Sequence, residues 1–339
     1  MNISAPSSPV CILGLGLIGG SLLRDLRAAD VQAFGWNRSP SKVQEAVDEG
    51  FDVSGDLPEV LRRTQEENAI IVIATPLPAV EAMLDAIQEY APTCTFTDVV
   101  SVKTPVWEQV QARGMQDFYV GGHPMAGTAD SGWSAAQEGL FDGAVWVITY
   151  DHAEKNGQIP SDDWSDRWVE VARMAFLVGA EVVPSRSRTH DSAVARISHL
   201  PHLLAESLSI VGDNGGALAL SLAAGSFRDG TRVAGTQPSL VRAMCEGNRE
   251  ALLVALDEAL ELLTDTRATL AGPERSVQDL AEAGYRSRVR YDVRAGKRQN
   301  VGLGATASNR PIIRFRPGEK GWMHHLVQAE EMGARIEIF

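Results

Sequence analysis

The sequence has few cysteines and no cysteine pattern. Its 339 residues contain three, Cys11, Cys94 and Cys245. No two of them have the spacing of a CxxC motif or of a metal site, and a disulfide framework needs cysteines in pairs. We therefore expect no structural disulfide, no metal centre and a reducing, cytoplasmic location.

Long apolar runs and positive charge are also scarce. No stretch reaches the ~18 consecutive apolar residues of a membrane span, and the N-terminal segment lacks the positive region of a signal peptide. There are 31 Lys and Arg against 44 Asp and Glu, so the net charge is -13. A protein that follows a nucleic-acid backbone needs a positive surface. The composition argues against membrane and nucleic-acid partners, and any anionic ligand must be held by local cations or helix N-termini.

The sequence does contain the pattern of a soluble α/β protein. The apolar fraction is 44% and the charged fraction 22%, and the length predicts two domains. In the first half, short β-branched apolar runs alternate with helical patterns, as in VCILGLG followed by IGGSLLRDLRAAD. This alternation predicts a Rossmann-type, doubly wound parallel sheet, with FYVGGHP and GAVWVITY as its last strands.

Two changes of composition divide the chain into three predicted parts. Residues 1–188 form the dinucleotide-binding domain. Residues 189–285 are rich in Ala and Leu at spacings of three and four, which predicts an all-helical domain for substrate binding and for a homodimer. Residues 286–339 form a C-terminal extension that ends in a small β-α-β element. Its first part, 286–320, has ten Lys or Arg and two acids, so it is a solvated basic surface or, alternatively, an anion or regulatory site.

A glycine motif after the first strand predicts a dinucleotide site. Gly14, Gly16 and Gly19 follow an apolar strand and open a helix. The first glycine permits a tight turn, the second lets a pyrophosphate approach the backbone, and the third lets helix and strand pack closely. Together with Leu17 and Ile18, they place N–H groups at the positive end of the helix, where a diphosphate binds.

The end of the second strand favours NADP over NAD. NAD-binding chains usually have Asp or Glu there for the ribose hydroxyls, whereas this chain has Asn37, Arg38 and Ser39. A guanidinium and a hydroxyl can bind a 2′-phosphate through charge-assisted hydrogen bonds. NAD is the alternative, with Arg38 pointing to water. Thr75 and Pro76, which follow another apolar strand, are expected to contact the cofactor at the same sheet edge.

His123 is the best candidate for an acid-base group. The pKa of histidine lies near working pH, and a proton must move as a hydride moves. His123 lies in VGGHPMAG, where Gly121, Gly122 and Gly127 would let the backbone approach a ligand. His190 is interpreted instead as a residue at a helix start.

Six segments, taken in order, resemble the prephenate and arogenate dehydrogenases of tyrosine biosynthesis: GLGLIGGSL, ATP, DVVSVK, GGHPMAGTADSG, SHLPHLLAESL and FRDGTRVA. The resemblance covers residues 9 to 270, and its HPMAG and SHLPH elements are far more specific than the glycine motif. It implies oxidative decarboxylation of a cyclohexadienol acid, either L-arogenate to L-tyrosine or prephenate to 4-hydroxyphenylpyruvate, with hydride transfer to NADP or NAD.

The resemblance also implies roles for single residues. His123 matches the catalytic histidine that hydrogen-bonds the ring hydroxyl of the substrate, and Ser101 matches the serine that helps to position that hydroxyl. His202 matches a histidine of the substrate pocket, whereas His199 is interpreted as structural. Arg232 matches the arginine that binds a substrate carboxylate.

The chain departs from the family pattern close to the substrate side chain. Gln237 stands where Asp is usual, Val241 where Trp is usual, and Ala129 where many relatives have Glu. Gln237 is still a substrate-binding candidate, because its amide oxygen can accept a hydrogen bond from the ammonium of arogenate. These substitutions, with the NADP-type second strand, resemble the branch that uses arogenate, and prephenate stays open.

Two other functions are weighed against this one. A dehydrogenase of the β-hydroxyacid type relies on a catalytic lysine in its second domain, and residues 189–285 contain no Lys. A non-catalytic NADP-sensing module, whose basic tail contacts a partner, would bind the cofactor without turnover and would not need His123.

Overall fold

A computed structural model describes residues 5–128, 130, 132–154, 162–294, 309–319 and 321–339. The chain forms two compact units. The first unit contains Met1–Asp191, Gly235–Gly247 and Ile313–Phe339, and the second contains Ser192–Ala234 and Asn248–Ile312. The first unit is thus assembled from three separate stretches of the chain. The domain boundaries expected at 188 and 285 stay predictions.

A parallel sheet forms the centre of the first unit. Its strands are β1 (Val10–Leu13), β2 (Ala33–Trp36), β3 (Val53–Ser54), β4 (Ile70–Ile73), β5 (Phe96–Asp98) and β6 (Tyr119–Val120). The helices that connect them are α1 (Leu17–Ala28), α2 (Pro40–Asp48), α3 (Leu57–Glu67), α4 (Val80–Tyr90) and α5 (Thr104–Ala112). The spatial order is β3-β2-β1-β4-β5-β6. This order confirms the predicted Rossmann-type sheet.

Both faces of this sheet are covered. Val10 and Ile12 of β1 pack in one apolar cluster, whereas Cys11 and Leu13 pack in another. Side chains of a strand alternate between the two faces, so a strand that is apolar throughout must be buried on both sides. All four residues of β1 are fully buried, as its composition predicts.

A second, three-stranded sheet follows the first. Its strands are β7 (Gly122–Pro124), β8 (Val145–Thr149) and β9 (Glu181–Ser185), and the helices α6 (Asp151–Glu154) and α7 (Asp162–Leu177) lie between β8 and β9 in the chain. β8 pairs with β7 antiparallel and with β9 parallel. The prediction that FYVGGHP and GAVWVITY end the first sheet is therefore wrong beyond Val120. The chain turns at Gly121, whose carbonyl accepts from Thr149 N–H, and then pairs with β8.

The C-terminal segment forms β10 (Ile312–Phe315), α15 (Trp322–Met332) and β11 (Arg335–Ile338), which confirms the predicted small β-α-β element. Phe315 and Trp322 stack on each other, and both rings lie near Trp168 of α7. The segment belongs to the same apolar cluster as Val182 of β9.

Seven further helices include those of the second unit. They are α8 (Ser187–Val194), α9 (Leu200–Asn214), α10 (Gly216–Ser221), α11 (Gly225–Thr231), α12 (Pro238–Gly247), α13 (Arg249–Ala271) and α14 (Gln278–Arg294). A π-helical turn, Ala195–His199, joins α8 to α9 just before Pro201. Proline lacks an N–H and so removes one helical hydrogen bond, and here the chain takes the wider turn before it. Within the described ranges, none of the helices has the length and apolar character needed to cross a membrane.

The second unit buries few of its apolar side chains. Among its described residues the buried apolar ones are Val194, Ala195, Ala205, Leu252 and Ala255. Many larger side chains are more than half exposed, including Ile210, Val211, Leu218, Leu222, Val254, Leu260, Leu262, Leu263 and Leu270. This unit therefore has little apolar core within one copy of the chain.

Candidate active site

The predicted cofactor residues lie at the carboxyl ends of three neighbouring strands. Gly14, Gly16, Leu17, Ile18 and Gly19 follow β1, while Asn37, Arg38 and Ser39 follow β2 and Thr75 and Pro76 follow β4. β1 lies between β2 and β4 in the sheet. The sheet therefore brings the three segments to one edge, which is where dinucleotides bind in doubly wound folds.

The three glycines of the motif have different surroundings. Gly14 has φ +108°, and a Cβ there would lie 2.8 Å from the carbonyl oxygen of Ala74. A Cβ on Gly19 would lie 2.0 Å from the carbonyl oxygen of Gly14, so only glycine allows α1 to approach the turn. Around Gly16, by contrast, a Cβ would meet nothing within 4 Å. The open space at Gly16 fits a pyrophosphate against bare backbone.

Two side chains at this edge have no partner within the described part of the chain. The hydroxyl oxygen of Thr75 is buried and makes no hydrogen bond there. A buried polar atom of this kind usually has a partner, so it indicates a ligand atom or a water at this place. Arg38 is exposed and forms no ion pair with the described residues. Both observations fit a dinucleotide bound at this edge of the sheet.

His123 follows two positions, Gly121 and Gly122, at which the packing leaves no space for a side chain. It lies on β7, opposite Val147 of β8. A Cβ on Gly121 would lie 2.6 Å from the hydroxyl oxygen of Thr149, and one on Gly122 would lie 2.7 Å from the carbonyl oxygen of Asp98. These two glycines are thus required by packing within the protein, and not by close approach of a ligand as their pattern suggests. Gly127 has open space around it.

A chain of hydrogen bonds fixes the protonation of His123. Its Nδ1 lies 2.8 Å from Nε2 of His190, and Nδ1 of His190 lies 2.8 Å from a carboxylate oxygen of Asp191. Because the carboxylate can only accept, Nδ1 of His190 donates, and in a neutral ring Nε2 then accepts from His123. Nδ1 of His123 therefore carries the proton. Nε2 of His123 carries the lone pair, so it is the basic nitrogen.

Asp191 is itself held as a carboxylate. The backbone N–H groups of Lys103 and Thr104, at the start of α5, donate to its two oxygens, both at 2.8 Å. Burial raises the pKa of Asp191, but the hydrogen bonds from His190, Thr104 and Lys103 outweigh burial and bring it below its usual value. The carboxylate of Asp191 thus lies behind His190, which in turn contacts His123.

The side chain of Lys103 binds β7, the strand that contains His123. Its ammonium is fully buried, contacts the carboxylate of Asp98 and donates to the carbonyl oxygen of Gly122 at 2.6 Å. The hydroxyl of Tyr119 donates to the other oxygen of Asp98 at 2.6 Å. Burial lowers the pKa of Lys103, and the nearby Asp98 carboxylate opposes that shift. Lys103 therefore holds the residue before His123 with its side chain and Asp191 with its backbone.

Ser101 lies in the loop between β5 and α5 and is partly buried. It does not cap α5, because the helix begins at Thr104 and the N–H groups of its first turn bind Asp191. The position of Ser101 near the carboxyl end of β5 places it at the same sheet edge as the cofactor segments. Its role beside the substrate hydroxyl stays a prediction.

Two of the predicted substrate residues lie in the second unit. Nδ1 of His202, on α9, is buried and has no hydrogen-bond partner among the described residues. Burial lowers the pKa of His202, and the nearby Arg232 lowers it further, although a hydrogen bond to Val233 and the charge of Glu206 oppose this. His202 is therefore neutral at neutral pH. Arg232 is exposed, and Arg228, four residues earlier on α11, is ion-paired with Asp229 at 3.6 Å.

Other residues near the substrate motifs have structural surroundings. His199 is buried and its Nδ1 lies 3.1 Å from the side-chain amide of Asn248, in agreement with a structural role. Gln237 is exposed, and its carbonyl accepts from the N–H groups of Leu240 and Val241 at the start of α12. Of the other two departures from the family pattern, Val241 is buried on α12, and Ala129 lies outside the described residues.

Sequence reasoning missed three residues around His123. His190 does lie in the first turn of α8, as predicted, but it also binds His123. The adjacent His190-Asp191 pair was a usable signal, because a carboxylate beside a histidine often orients the ring. Lys103 belongs to the DVVSVK segment, and no signal in the sequence shows that its side chain reaches Gly122.

Comparisons with known proteins agree with these observations. Residues 22–161 match the family model of the prephenate dehydrogenase nucleotide-binding domain, and residues 186–290 match that of the prephenate dehydrogenase dimerization domain. The chain is 31% identical to prephenate dehydrogenase of Bacillus subtilis over 261 residues, which are 74% of this chain and 66% of that protein. The chain thus spans slightly less than two thirds of that relative.

Two solved structures are similar over most of their length. One is a Corynebacterium glutamicum protein that has been proposed to be a prephenate dehydrogenase; it is 56% identical with a TM-score of 0.92, covering 98% of this chain and 99% of that one. The other is arogenate dehydrogenase of Synechocystis, 30% identical with a TM-score of 0.68, covering 84% of this chain and 99% of that one.

Proposed function

The chain belongs to the prephenate dehydrogenase family, and we propose that it converts L-arogenate to L-tyrosine with NADP as the hydride acceptor. The coarser statement, oxidative decarboxylation of a cyclohexadienol acid with hydride transfer to NAD(P), follows from the family. The observations that carry the finer proposal are Arg38 at the end of β2, for NADP, and Gln237 just before α12, for arogenate, while His123 is the base.

Nε2 of His123 is the atom that takes the proton of the ring hydroxyl. The hydrogen bonds through His190 to Asp191 keep the proton of the neutral ring on Nδ1, so that Nε2 can accept, and they stabilise the imidazolium that forms afterwards. A nicotinamide bound at the glycine turn would supply the acceptor for the hydride that leaves C4 of the substrate. The ring then carries a carbonyl at C4. As CO2 leaves, the bond between C1 and the carboxylate carbon breaks, and its electrons move through the ring to the carbonyl oxygen. His123 can return its proton to the oxygen, and the product is an aromatic phenol.

No metal is needed for this sequence of steps. Formation of the aromatic ring supplies the driving force for loss of CO2, so the protein's tasks are orientation and proton transfer. We assign to Arg232 the binding of a substrate carboxylate. His202 is neutral at neutral pH, so it can donate or accept a hydrogen bond to the substrate but does not add a second positive charge.

The preference for NADP is supported by the end of β2. No acid stands there to repel a 2′-phosphate; the residues are Asn37, Arg38 and Ser39. The hydroxyl of Ser39 lies 3.1 Å from that of Ser41 and does not cap α2, so it can turn to a ligand. A guanidinium forms bidentate, charge-assisted hydrogen bonds to phosphate oxygens.

The preference for arogenate is supported by Gln237. Its exposed amide oxygen can accept from the ammonium of arogenate, whereas the keto acid of prephenate offers no donor there. The similarity to Synechocystis arogenate dehydrogenase over 84% of the chain is consistent with this choice.

We also propose that two copies of the chain form a homodimer through the second unit. One copy buries five apolar side chains there among the described residues and leaves much larger ones exposed. Residues 186–290, which match a dimerization domain, cover most of those exposed side chains. A second copy would bury them.

The deciding experiment is a rate measurement with each substrate and each cofactor. Purified protein is mixed with arogenate or prephenate and with NADP or NAD, and the absorbance of reduced nicotinamide is followed. We expect the highest kcat/KM with arogenate and NADP. Turnover with prephenate alone would contradict the substrate proposal, and turnover with NAD alone would contradict the cofactor proposal.

The role of His123 is tested in the same assay. His123→Asn should lower kcat by about 10²–10⁴-fold, the usual contribution of a positioned acid-base group. His324→Asn, at an exposed histidine on α15, is the matched control and should leave kcat unchanged. Binding of NADP without turnover in the wild-type protein would instead support a sensing module.

A further inference from the structure

The C-terminal segment reaches the residues that support the two active-site histidines. Residues 312–338 lie beyond the matches to the family models, which end at residue 290. They nevertheless pack in the first unit, with Leu326, Ala329 and Ile336 buried in its apolar cluster. One polar residue of α15, Glu330, points into this packed region and has a side chain that is 5% exposed.

The carboxylate of Glu330 accepts hydrogen bonds from three residues of two strand ends. One oxygen accepts from the hydroxyl of Ser185 at 3.0 Å and from the N–H of Arg186 at 2.8 Å. The other accepts from the hydroxyl of Tyr150 at 2.5 Å and from the guanidinium of Arg186 at 2.6 and 2.7 Å. So many donors on one buried carboxylate define its position closely.

The charge of Glu330 is maintained by these donors. Burial raises its pKa, but the hydrogen bonds from Tyr150, Arg186 and Ser185 outweigh burial and bring the pKa below its usual value. The side chain is therefore a carboxylate at neutral pH, and an uncharged substitute of the same size would leave buried donors without an acceptor.

Each of the two strand ends is linked to one of the two histidines, His123 and His190. Tyr150 follows β8, the strand that pairs with β7 and holds His123 opposite Val147. Arg186 immediately precedes α8, and its carbonyl accepts from the N–H of His190 at 2.9 Å. Asp151, next to Tyr150, adds a second link, since it accepts from the N–H and the hydroxyl of Ser187.

We propose that Glu330 is a positioning residue for the reaction, because it joins the support of His123 to the support of His190 and so sets the 2.8 Å contact between the two rings. It touches neither substrate nor cofactor. This inference rests on the proposed role of His123 as the base. A shift of one ring by a fraction of an ångström would weaken the hydrogen bond that makes Nε2 of His123 basic.

The test compares Glu330→Gln with Glu331→Gln, the neighbouring exposed carboxylate on the same helix. Glu330→Gln should lower kcat by about 10- to 100-fold, the usual effect of small misplacements of reacting groups, while KM for NADP changes little. The apparent pKa on the acidic side of the kcat profile should fall, because Asp191 then stabilises the imidazolium of His123 less well. Glu331→Gln should have the same kcat, KM for NADP and apparent pKa as the wild type.

A double-mutant cycle separates positioning from general destabilisation. If Glu330 acts through His190, the variant with Glu330→Gln and His190→Ala should be no slower than His190→Ala alone. The proposal would be overturned if the fold reductions in kcat of the two single variants multiply in the double variant, or if Glu330→Gln has the wild-type kcat. Should Glu330→Gln fail to fold, Glu330→Asp keeps the charge but shortens the reach, and a wild-type kcat in that variant would overturn it equally.

A measurement without turnover distinguishes this proposal from the proposed function. NMR titration of ¹⁵N-labelled histidine rings reports the pKa of His123 directly. A pKa that changes in Glu330→Gln and not in Glu331→Gln supports the positioning role even if neither substrate is turned over. An unchanged pKa in an active enzyme refutes the positioning role alone.

Discussion

Arg38 is one exposed positive charge on a chain whose net charge is -13. The field of the whole molecule repels a dinucleotide phosphate, so local groups must supply the attraction. Arg38 is the second residue after β2 and has no ion-pair partner in the described ranges, so its guanidinium does not have to leave an ion pair to bind a ligand.

Arg38→Ala should therefore change the choice of cofactor. A hydrogen bond to a charged group contributes about 1.5–3 kcal/mol, so kcat/KM with NADP should fall about 10- to 100-fold. The value with NAD should stay close to that of the wild type, because NAD has no 2′-phosphate. Arg62→Ala, at an exposed arginine on α3 that lies over the Tyr90 ring, is the control for loss of one positive charge. Equal losses with both cofactors would contradict a 2′-phosphate contact.

Single residues of the site were predictable when their chemistry was local in the sequence. His123 follows from its glycine-rich surroundings and from the family motif that contains it. The partner His190 lies 67 positions further along the chain, and its contact depends on how β7, β8 and β9 assemble. Lys103 is harder still, because a lysine in a loop is usually exposed and its burial depends on the Asp98 carboxylate.

At the level of elements, the turn after β1 and the first turn of α1 each contain a glycine, Gly16 and Gly19, and the two have opposite requirements. Gly19 is needed for the packing of α1 on the turn, since a Cβ there would overlap the carbonyl of Gly14. Gly16 has a φ of -85°, which any residue can adopt, and free space beside it. Packing of the protein alone does not require glycine at position 16.

The pair Gly16→Ala and Gly19→Ala should separate folding from cofactor binding. Gly19→Ala forces α1 away from β1 and should lower the free energy of unfolding by about 1–3 kcal/mol or more, as overpacked sites do. Gly16→Ala should leave the melting temperature nearly unchanged but raise the Kd for NADP at least about tenfold, because the methyl group occupies the place of the pyrophosphate. Calorimetry measures the stability of each variant, and binding titrations measure its Kd for NADP. Wild-type NADP affinity in Gly16→Ala would place the diphosphate elsewhere.

Strands β1, β2 and β4 of the first sheet were predictable because they are short, largely apolar runs next to helical patterns, whereas β3 has only two residues, one of them Ser54, and was not predicted. The second sheet was not, since its strands have the same composition as those of the first. What separates them is the tight packing of Gly121 and Gly122 against Thr149 and Asp98, which turns the chain towards β8. Such a steric effect depends on residues that are distant in sequence, so no local pattern reveals it.

At the scale of the whole molecule, the second unit has many exposed apolar side chains and few buried ones. Leu260 and Leu263 of α13 are 51% and 53% exposed and lie three positions apart, on one face of the helix. In water, such a face is stable only when it is covered by another apolar surface.

We expect the wild-type protein to sediment at twice the mass of one chain at micromolar concentration. The double substitution Leu260→Glu with Leu263→Glu should shift it towards the monomer, because two charges would be buried in the interface without partners. Val47→Glu, at an exposed apolar residue of α2 in the first unit, should leave the dimer intact. A wild-type monomer, or a dimer that is unaffected by the α13 substitutions, would refute an interface through this helix.

The division of the first unit among three stretches of chain has a consequence for synthesis on the ribosome. The nucleotide-binding sheet, β1 to β6, is complete before the second unit has been translated, and it can begin to fold while the chain grows. The apolar cluster that contains Trp168 and Val182 still lacks Phe315, Trp322 and Ile336 at that stage. Those side chains are added more than a hundred residues later, so the nascent protein must expose this surface until translation reaches α15 and β11. A chaperone that shields apolar surface would thus be needed longest by the part of the protein that holds His123 and His190.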